Sequence, residues 1–393
     1  MRMMVAGGGT GGHVFPGVAL AEEVVTRHPQ NDVVFAGTAR GLEAKVVPAA
    51  GYPIELIEVK GLKGKGLLAL LANVLLLPRA FLQCWRILRR WRPDIVVGVG
   101  GYASGPVVLT AWLMGIPTAV QEQNAMPGFT NRVLGRFVRA AFTAFPEAGR
   151  YFAAHKVHQL GNPIRRELME NYMRPSQVHE KLRLLVFGGS QGAHALNMRL
   201  IEALPHLVDL RDQLEITHQT GARDRGAVDK GYRACGFPVD VREFITDMSD
   251  AYARSDLVVC RAGATTLAEL TTCKKPAILI PFPKAADNHQ VMNAKSLVDA
   301  GAAVMIEERE LTGEVLAREI EAILRDPERR ERMARAAGRL GSPQAAREIA
   351  DVFSELVNRR WGSPRGQDRG PAFVPVRPPD GIAEGAAGAP PAP

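Results

Sequence analysis

Short apolar runs alternate with helix-periodic stretches along most of this chain. Met3–Ala6, Val33–Ala36, Ile54–Ile57, Ile95–Val99 and Thr118–Val120 are runs of strand length, most of them preceded by helical patterns. The scheme restarts at Leu182–Phe187 and continues through Leu214–His218, Leu257–Cys260, Ala277–Ile280 and Ala303–Ile306. Strands that alternate with helices at this spacing predict βαβ units and parallel sheets covered on both faces. The pattern pauses at Gly161-Asn162-Pro163, and a polar, helix-like stretch follows from Ile164 to Lys181. The expectation is therefore an α/β protein of two doubly wound parallel-sheet domains facing a cleft and hinged near Asn162. Residues 1–162 and 163–340 form the domains, 341–360 a C-terminal helix, and 361–393 a Pro-, Gly- and Ala-rich tail expected to be disordered.

The most conspicuous break in the pattern is Gly7-Gly8-Gly9-Thr10-Gly11-Gly12-His13, between the first strand and the helical stretch Val14–Val25. Five glycines let a backbone approach a ligand closely, and the helix behind them offers unpaired N–H groups and a positive dipole end. Gly7, Gly9 and Gly12 also satisfy G-x-G-x-x-G, but a dinucleotide needs a carboxylate near the end of the second strand for its ribose. That strand runs out into Gly37-Thr38-Ala39-Arg40, with Asp32 at its wrong end.

Other strand ends carry further chemistry. Gly98-Val99-Gly100-Gly101-Tyr102-Ala103-Ser104-Gly105-Pro106 is a second glycine cluster in the same half, and with Thr10 and Ser104 at hand the two loops suit one diphosphate. Gln121-Glu122-Gln123-Asn124 forms a polar lip after another strand, so Glu122, Asn124, His13 and Tyr102 are expected at one rim. Any of the titratable three, Glu122, His13 and Tyr102, is available there as a general base for a hydroxyl nucleophile, and Glu122 and His13 are the catalytic candidates. In the second half, Gly188-Gly189-Ser190-Gln191-Gly192 repeats the strand–glycine–helix unit, and Arg261-Ala262-Gly263 leads into Ala264-Thr265-Thr266-Leu267-Ala268-Glu269. Thr266-x-x-Glu269 reads as a capping box, and Glu269 is alternatively an acceptor for ribose hydroxyls. Pro281–Gln290 is a rigid polar loop ending in His289 and Gln290, two side chains able to bond a sugar. D-x-D, H-E-x-x-H and P-loop patterns do not occur, so no metal or other cofactor is expected.

Composition narrows the partners. Of 393 residues, 46% are hydrophobic and 23% charged, with a formal charge of +8 that favours an anionic partner. Cys84, Cys235, Cys260 and Cys273 lack metal spacing and read as reduced thiols. The chain enters a strand at once, which is not a secretory leader. From Val59 to Pro93 there are eight basic residues and no acid, interleaved with Leu75, Leu76, Trp85 and other apolar side chains, with Arg86 and Arg89 beside them. An apolar surface ringed by cations suits an anionic membrane surface. The eleven-residue run Leu67–Leu77 is short of the ~20 residues a membrane span needs. Too few aromatics are present for base stacking, so nucleic acid is not an expected partner.

Taken in order, Gly8–Gly17, Gly100–Pro106, Gln121–Asn124, Gly161-Asn162-Pro163-Ile164-Arg165, Gly188–Ala193 and Arg261–Ala264 with Glu269 resemble the MurG family of glycosyltransferases over about residues 1–355. The resemblance implies a GT-B fold of two Rossmann-like domains, the first binding acceptor and membrane and the second a UDP-sugar. It implies metal-independent, inverting transfer of N-acetylglucosamine from UDP-N-acetylglucosamine to undecaprenyl-diphospho-muramoylpentapeptide. The setting is peptidoglycan synthesis at the cytoplasmic face of the bacterial plasma membrane, where the protein is peripheral. By motif, donor contacts fall on Thr10, Gly11, Gly12, Asn124, Arg165, Ser190, Ile245, Ala264–Glu269 and Gln290, and acceptor contacts on Gly9, Tyr102 and Ser104. His289 stands where some relatives carry a second Gln. Two alternatives remain open: a UDP-N-acetylglucosamine 2-epimerase of the same fold, and a non-catalytic, nucleotide-responsive membrane adaptor.

Overall fold

The computed structural model describes residues 1–59, 67–172, 180–189 and 192–361, with 67–77, 170–172 and 360–361 described in backbone only. Among the described residues thirteen strands fall into two sheets. The first contains β1 (Arg2–Gly7), β2 (Asp32–Gly37), β3 (Ile54–Leu56), β4 (Ile95–Gly100), β5 (Thr118–Glu122), β6 (Ala140–Thr143) and β7 (Val157–Gln159), in the order β3-β2-β1-β4-β5-β6-β7. The second contains β8 (Leu182–Phe187), β9 (Leu214–Gln219), β10 (Val239–Arg242), β11 (Leu257–Cys260), β12 (Ala277–Leu279) and β13 (Ala303–Met305), in the order β10-β9-β8-β11-β12-β13. Every pairing is parallel. Both sheets reverse direction beside their first strand, which is where an open α/β sheet holds a ligand at its carboxyl ends.

Three strands, β6, β7 and β10, were not evident from the apolar pattern. Each has three or four residues, and β7 and β10 lie at sheet edges where half-exposed positions replace an apolar run. In the helix-like stretch after Pro163 the described residues are helical from Arg166 to Tyr172, and Ile164, Arg165, Glu180 and Lys181 lie outside any helix.

Each sheet has a core on both faces, as parallel sheets require. In the first, Met3, Val5, Val97 and Phe142 pack on one side and Met4, Val96, Val108 and Leu88 on the other. The last helix, Ala345–Trp361, belongs to this first core although the chain has already passed through the second sheet. Ile349, Ala350 and Phe353 are buried against it, and the Phe353 ring meets Phe142 edge-on at 5.4 Å. Burying such a phenylalanine contributes about 1.5–3 kcal/mol. Arg27 and Asp351 add an ion pair at 2.6 Å. The two halves are thus joined by two crossings, one at Gly161–Arg165 and one leading into Ala345.

Candidate active site

The first wall is built from three adjacent strand ends. After β1 the chain turns through glycines into the helix Gly11–Arg27, whose N-cap residue is Thr10 in extended conformation. No acid lies in the first turn, so the positive end of the helix is not neutralised locally. Gly8 donates its N–H to the carbonyl of Gly100 at 3.1 Å, which joins the loop after β1 to the loop after β4. Gly101, at φ +83°, lies so close to the Gly8 carbonyl that any side chain there would collide with it. Close approach, together with positive φ, explains why this junction needs glycine on both sides.

The loop is also clamped from behind by Glu43, a residue that motif reasoning did not single out. Its carboxylate is buried and accepts the N–H of Gly9 at 2.7 Å and both the N–H and the hydroxyl of Thr38 at 2.9 Å. A Cβ at Gly8 would land on that carboxylate. The acid sought for a ribose is therefore present just beyond the second strand, but it holds protein backbone.

His13 sits in the first turn of the helix with Nδ1 3.2 Å from Gln123 Oε1. Gln123 spends its NH2 group on the Val99 carbonyl at 3.1 Å, so its oxygen faces the imidazole. Nδ1 must then carry the hydrogen, and Nε2 keeps its lone pair. Burial lowers the imidazole below its ordinary value, the Gln123 bond opposes this, and the charge of His289 lowers it further. The neutral form, which accepts a proton, is the one favoured at neutral pH. Gly100 at φ +99° leaves room for the ring, since a Cβ would come within 2.7 Å of Nδ1.

Two expected site residues, Glu122 at the rim and Ser104 in the second glycine loop, are buried. Glu122 is only 1% exposed and accepts from the N–H groups of Asn124 at 3.0 Å and Gly128 at 3.1 Å. The side-chain amides of Asn131 at 2.9 Å and Asn124 at 3.3 Å bond it as well. Burial pushes its carboxyl up, against these hydrogen bonds. It organises the lip after β5 from beneath, with both carboxylate oxygens accepting from protein donors. Ser104 is 0% exposed and packs over Gly98, behind the loop that was expected to present it. Tyr102, by contrast, is 59% exposed, and Gly9 and Thr10 are open at the surface of the loop.

The second wall is the helix Ala264–Thr272, with Gly263 as its extended N-cap residue and no acid in its first turn. Thr266 and Glu269 both lie inside this helix, so they form no capping box. The Glu269 carboxylate is buried and accepts from the Tyr252 hydroxyl at 3.0 Å. Burial raises its carboxyl, while the Arg165 charge and the Tyr252 bond oppose the rise. Arg165 itself comes from the crossing between the halves and stacks over Phe15 of the first helix at 5.3 Å. Ala264 and Leu267 are buried, and Thr265, Thr266 and Ala268 are partly exposed. The Thr265 hydroxyl reaches the Gly12 carbonyl at 3.5 Å, so the two helix N-termini meet across the cleft.

Ile245 is buried and its N–H is taken by Gln219 Oε1 at 2.8 Å, while Gln219 Nε2 donates to the Gly189 carbonyl at 2.9 Å. Gln219 thereby ties the glycine loop after β8 to Ile245, a link no local motif signals. Ser190 lies outside the described residues. Gln290 accepts the Phe282 N–H at 2.9 Å through its oxygen, which leaves its NH2 group for a ligand. His289 Nδ1 is bonded to the Ala286 carbonyl at 2.7 Å.

On the far side of the first half, the helix Leu67–Trp91 exposes Leu82, Trp85, Arg86 and Arg89, with the Arg89 guanidinium 5.0 Å from the Trp85 ring centre. The helix Ser104–Leu113, which packs beside it, exposes Trp112 and Leu113, the latter 67% exposed, and the Trp112 ring lies 4.9 Å from that of Phe137. The side chains of Leu75 and Leu76 lie outside the described residues. Arg79 and Arg90 are paired with Glu58 and Glu55, acids just before the basic stretch. Among the described residues no helix is long and apolar enough to cross a membrane.

Two family models cover these walls: the glycosyltransferase family 28 N-terminal domain matches residues 3–143, and the glycosyltransferase family 28 C-terminal domain matches residues 183–351. A protein of Anaeromyxobacter dehalogenans named UDP-N-acetylglucosamine–N-acetylmuramyl-(pentapeptide) pyrophosphoryl-undecaprenol N-acetylglucosamine transferase is 82% identical over 97% of this chain and 99% of its own. A Myxococcus xanthus protein of the same name is 61% identical over 94% of this chain and 97% of its own. The crystal structure of Acinetobacter baumannii MurG superposes with a TM-score of 0.75 at 32% identity, covering 90% of this chain and 99% of that one. The chain therefore belongs to glycosyltransferase family 28 and, within it, to the MurG transferases that its motifs resemble.

Proposed function

We propose that this protein transfers N-acetylglucosamine from UDP-N-acetylglucosamine to the 4-hydroxyl of undecaprenyl-diphospho-N-acetylmuramoyl-pentapeptide. The observation that carries the reading is the meeting of two helix N-termini, at Gly11 and Ala264, neither with an acid in its first turn. Each is suited to an anionic diphosphate, one belonging to the lipid acceptor and one to the nucleotide donor.

The acceptor hydroxyl attacks the anomeric carbon from the side opposite UDP, and the bond from that carbon to the diphosphate oxygen breaks, so the centre inverts. Nε2 of His13 takes the hydroxyl proton, in the tautomer that Gln123 holds. The departing diphosphate gathers negative charge at the start of the helix Ala264–Thr272, where oriented N–H groups stabilise it. Glu269, with Tyr252 occupying one of its oxygens, accepts ribose hydroxyls on the other, and the NH2 group of Gln290 and the side chain of Asn124 bind the sugar. Gly9 and Tyr102 face the acceptor. The apolar patch with Trp85 and its arginines supports docking on an anionic membrane surface, with the enzyme a peripheral protein of the cytoplasmic face.

Mixing purified protein with radiolabelled UDP-N-acetylglucosamine and a short-chain lipid acceptor tests this. Label should pass to the acceptor. Conversion of the donor to its manno epimer without acceptor would replace the reading by an epimerase, and nucleotide binding without any transfer would replace it by an adaptor.

A further inference from the structure

Asn293 lies in the helix His289–Asp299 of the second half, is 0% exposed, and spends its whole side chain on contacts that cross the cleft or border it. Its Oδ1 accepts the N–H of Ala125 at 2.8 Å. Its Nδ2 donates to Asn124 Oδ1 at 3.1 Å and to the Ala262 carbonyl at 3.4 Å. Asn124 and Ala125 belong to the lip after β5 in the first half, while Ala262 leads into the helix Ala264–Thr272. One carboxamide therefore joins the acceptor wall to both donor-side elements. On the far side Asn124 is itself fixed, because its N–H and NH2 groups donate to Glu122 at 3.0 and 3.3 Å. A continuous run of hydrogen bonds thus leads from Glu122 through Asn124 and Asn293 to Ala262.

We propose that Asn293 is the latch of the closed cleft: a positioning residue whose bonds form when the halves meet and which sets Asn124 in the same movement. The amide N–H of Ala125 is buried, and a buried donor without a partner is costly. Opening must hand Ala125 and Asn124 over to water, and closing without Asn293 would strand them. Among the described residues no other cross-cleft contact combines burial with three bonds. The Arg132–Asp287 pair at 3.6 Å has about a third of each side chain exposed and is weak for that reason. Because the lip carries Asn124 and the helix carries Gln290, the latch also brings two proposed sugar-binding side chains into register. It acts through them and does not itself need to touch substrate.

This proposal rests on the transferase reading, and its test separates the two. Asn293→Ala removes all three bonds. Asn293→Asp keeps the acceptor for Ala125 but turns oxygen toward Asn124 Oδ1 and the Ala262 carbonyl. Three quantities are measured for each variant and the parent: kcat with UDP-N-acetylglucosamine and a short-chain lipid acceptor, Kd for UDP alone, and radius of gyration by X-ray scattering with and without UDP. UDP alone is held by the second half, so its Kd should stay within about twofold. Turnover should fall about tenfold or more, as loss of two or three ordinary hydrogen bonds from the closed state implies. The scattering radius of the variants should exceed the parent's both with and without UDP, since a ligand held by one half alone does not itself drive closure.

Parent-like kcat in a folded Asn293→Ala protein would overturn the latch. So would an equal fall in kcat and UDP affinity, which would mark a core position instead. The aspartate variant supplies the same three readings if the alanine variant does not fold. A parent that moves no sugar would defeat the transferase reading alone, since the scattering comparison tests the latch without turnover.

Discussion

The carboxylate of Glu43 accepts the backbone N–H of Gly9 at 2.7 Å across thirty-four positions of sequence. A loop of five glycines has little to hold it in one conformation, and this bond, with the Gly8–Gly100 bond on its other side, supplies what side-chain packing cannot. Glu43→Ala strips three donors of a buried partner, and each hydrogen bond to a charged group contributes about 1.5–3 kcal/mol. The expected result is a loss of about 4–5 kcal/mol in urea unfolding, the low end of three such bonds, with kcat reduced at least as much as donor affinity. Unchanged stability would mean that the loop holds its shape without the clamp.

His13 gives a pH signature. Its imidazole lies below the ordinary value because it is buried, and only the neutral form takes a proton. Activity should therefore be full above the ordinary imidazole range and fall on the acid side, with the midpoint of the limb below about 6.5. His13→Ala should lower kcat by about 10²–10⁴ and abolish that limb while UDP still binds. A midpoint above the ordinary histidine value, or a variant that keeps the limb, would assign the titration to another group.

Glu269 is proposed to hold the donor's ribose, so Glu269→Ala should raise the donor KM about tenfold or more, the size expected for hydrogen bonds to a charged acceptor, with a smaller effect on kcat. Tyr252→Phe removes one bond to the same carboxylate and should move KM in the same direction by less. Equal donor KM in parent and Glu269→Ala would refute the ribose role.

The exposed apolar surface predicts a separation of functions. Replacing Trp85, Trp112 and Leu113 by Ser should weaken binding to vesicles containing anionic lipid and leave turnover of a water-soluble acceptor intact. Loss of both would identify these residues as structural.

The glycine loops, the lip after β5 and the alternation of strands and helices could all be read from sequence because each is a local pattern. What escaped was long-range or saturated by neighbours. Glu43 and Gln219 act on glycine loops about thirty residues away, and nothing beside them in sequence reveals it. Glu122 looks like a base only while its four donors are unseen. Ser104 looks like a ligand until Gly98 is seen beneath it. Thr266-x-x-Glu269 has the letters of a capping box, but the helix starts earlier, at Gly263, and puts both residues inside. The last helix returned to the first sheet for a reason visible only in three dimensions: Phe353 fills a place beside Phe142.

The most direct test of the account is the stereochemistry of the product. Donor labelled with carbon-13 at the anomeric centre is incubated with enzyme and short-chain lipid acceptor, and the new linkage is read by nuclear magnetic resonance. UDP departure from one face with attack from the other, the proton passing to His13 as proposed, predicts a β-linked disaccharide formed only when acceptor is present. An α-linked product, or an altered sugar appearing from donor alone, would contradict it.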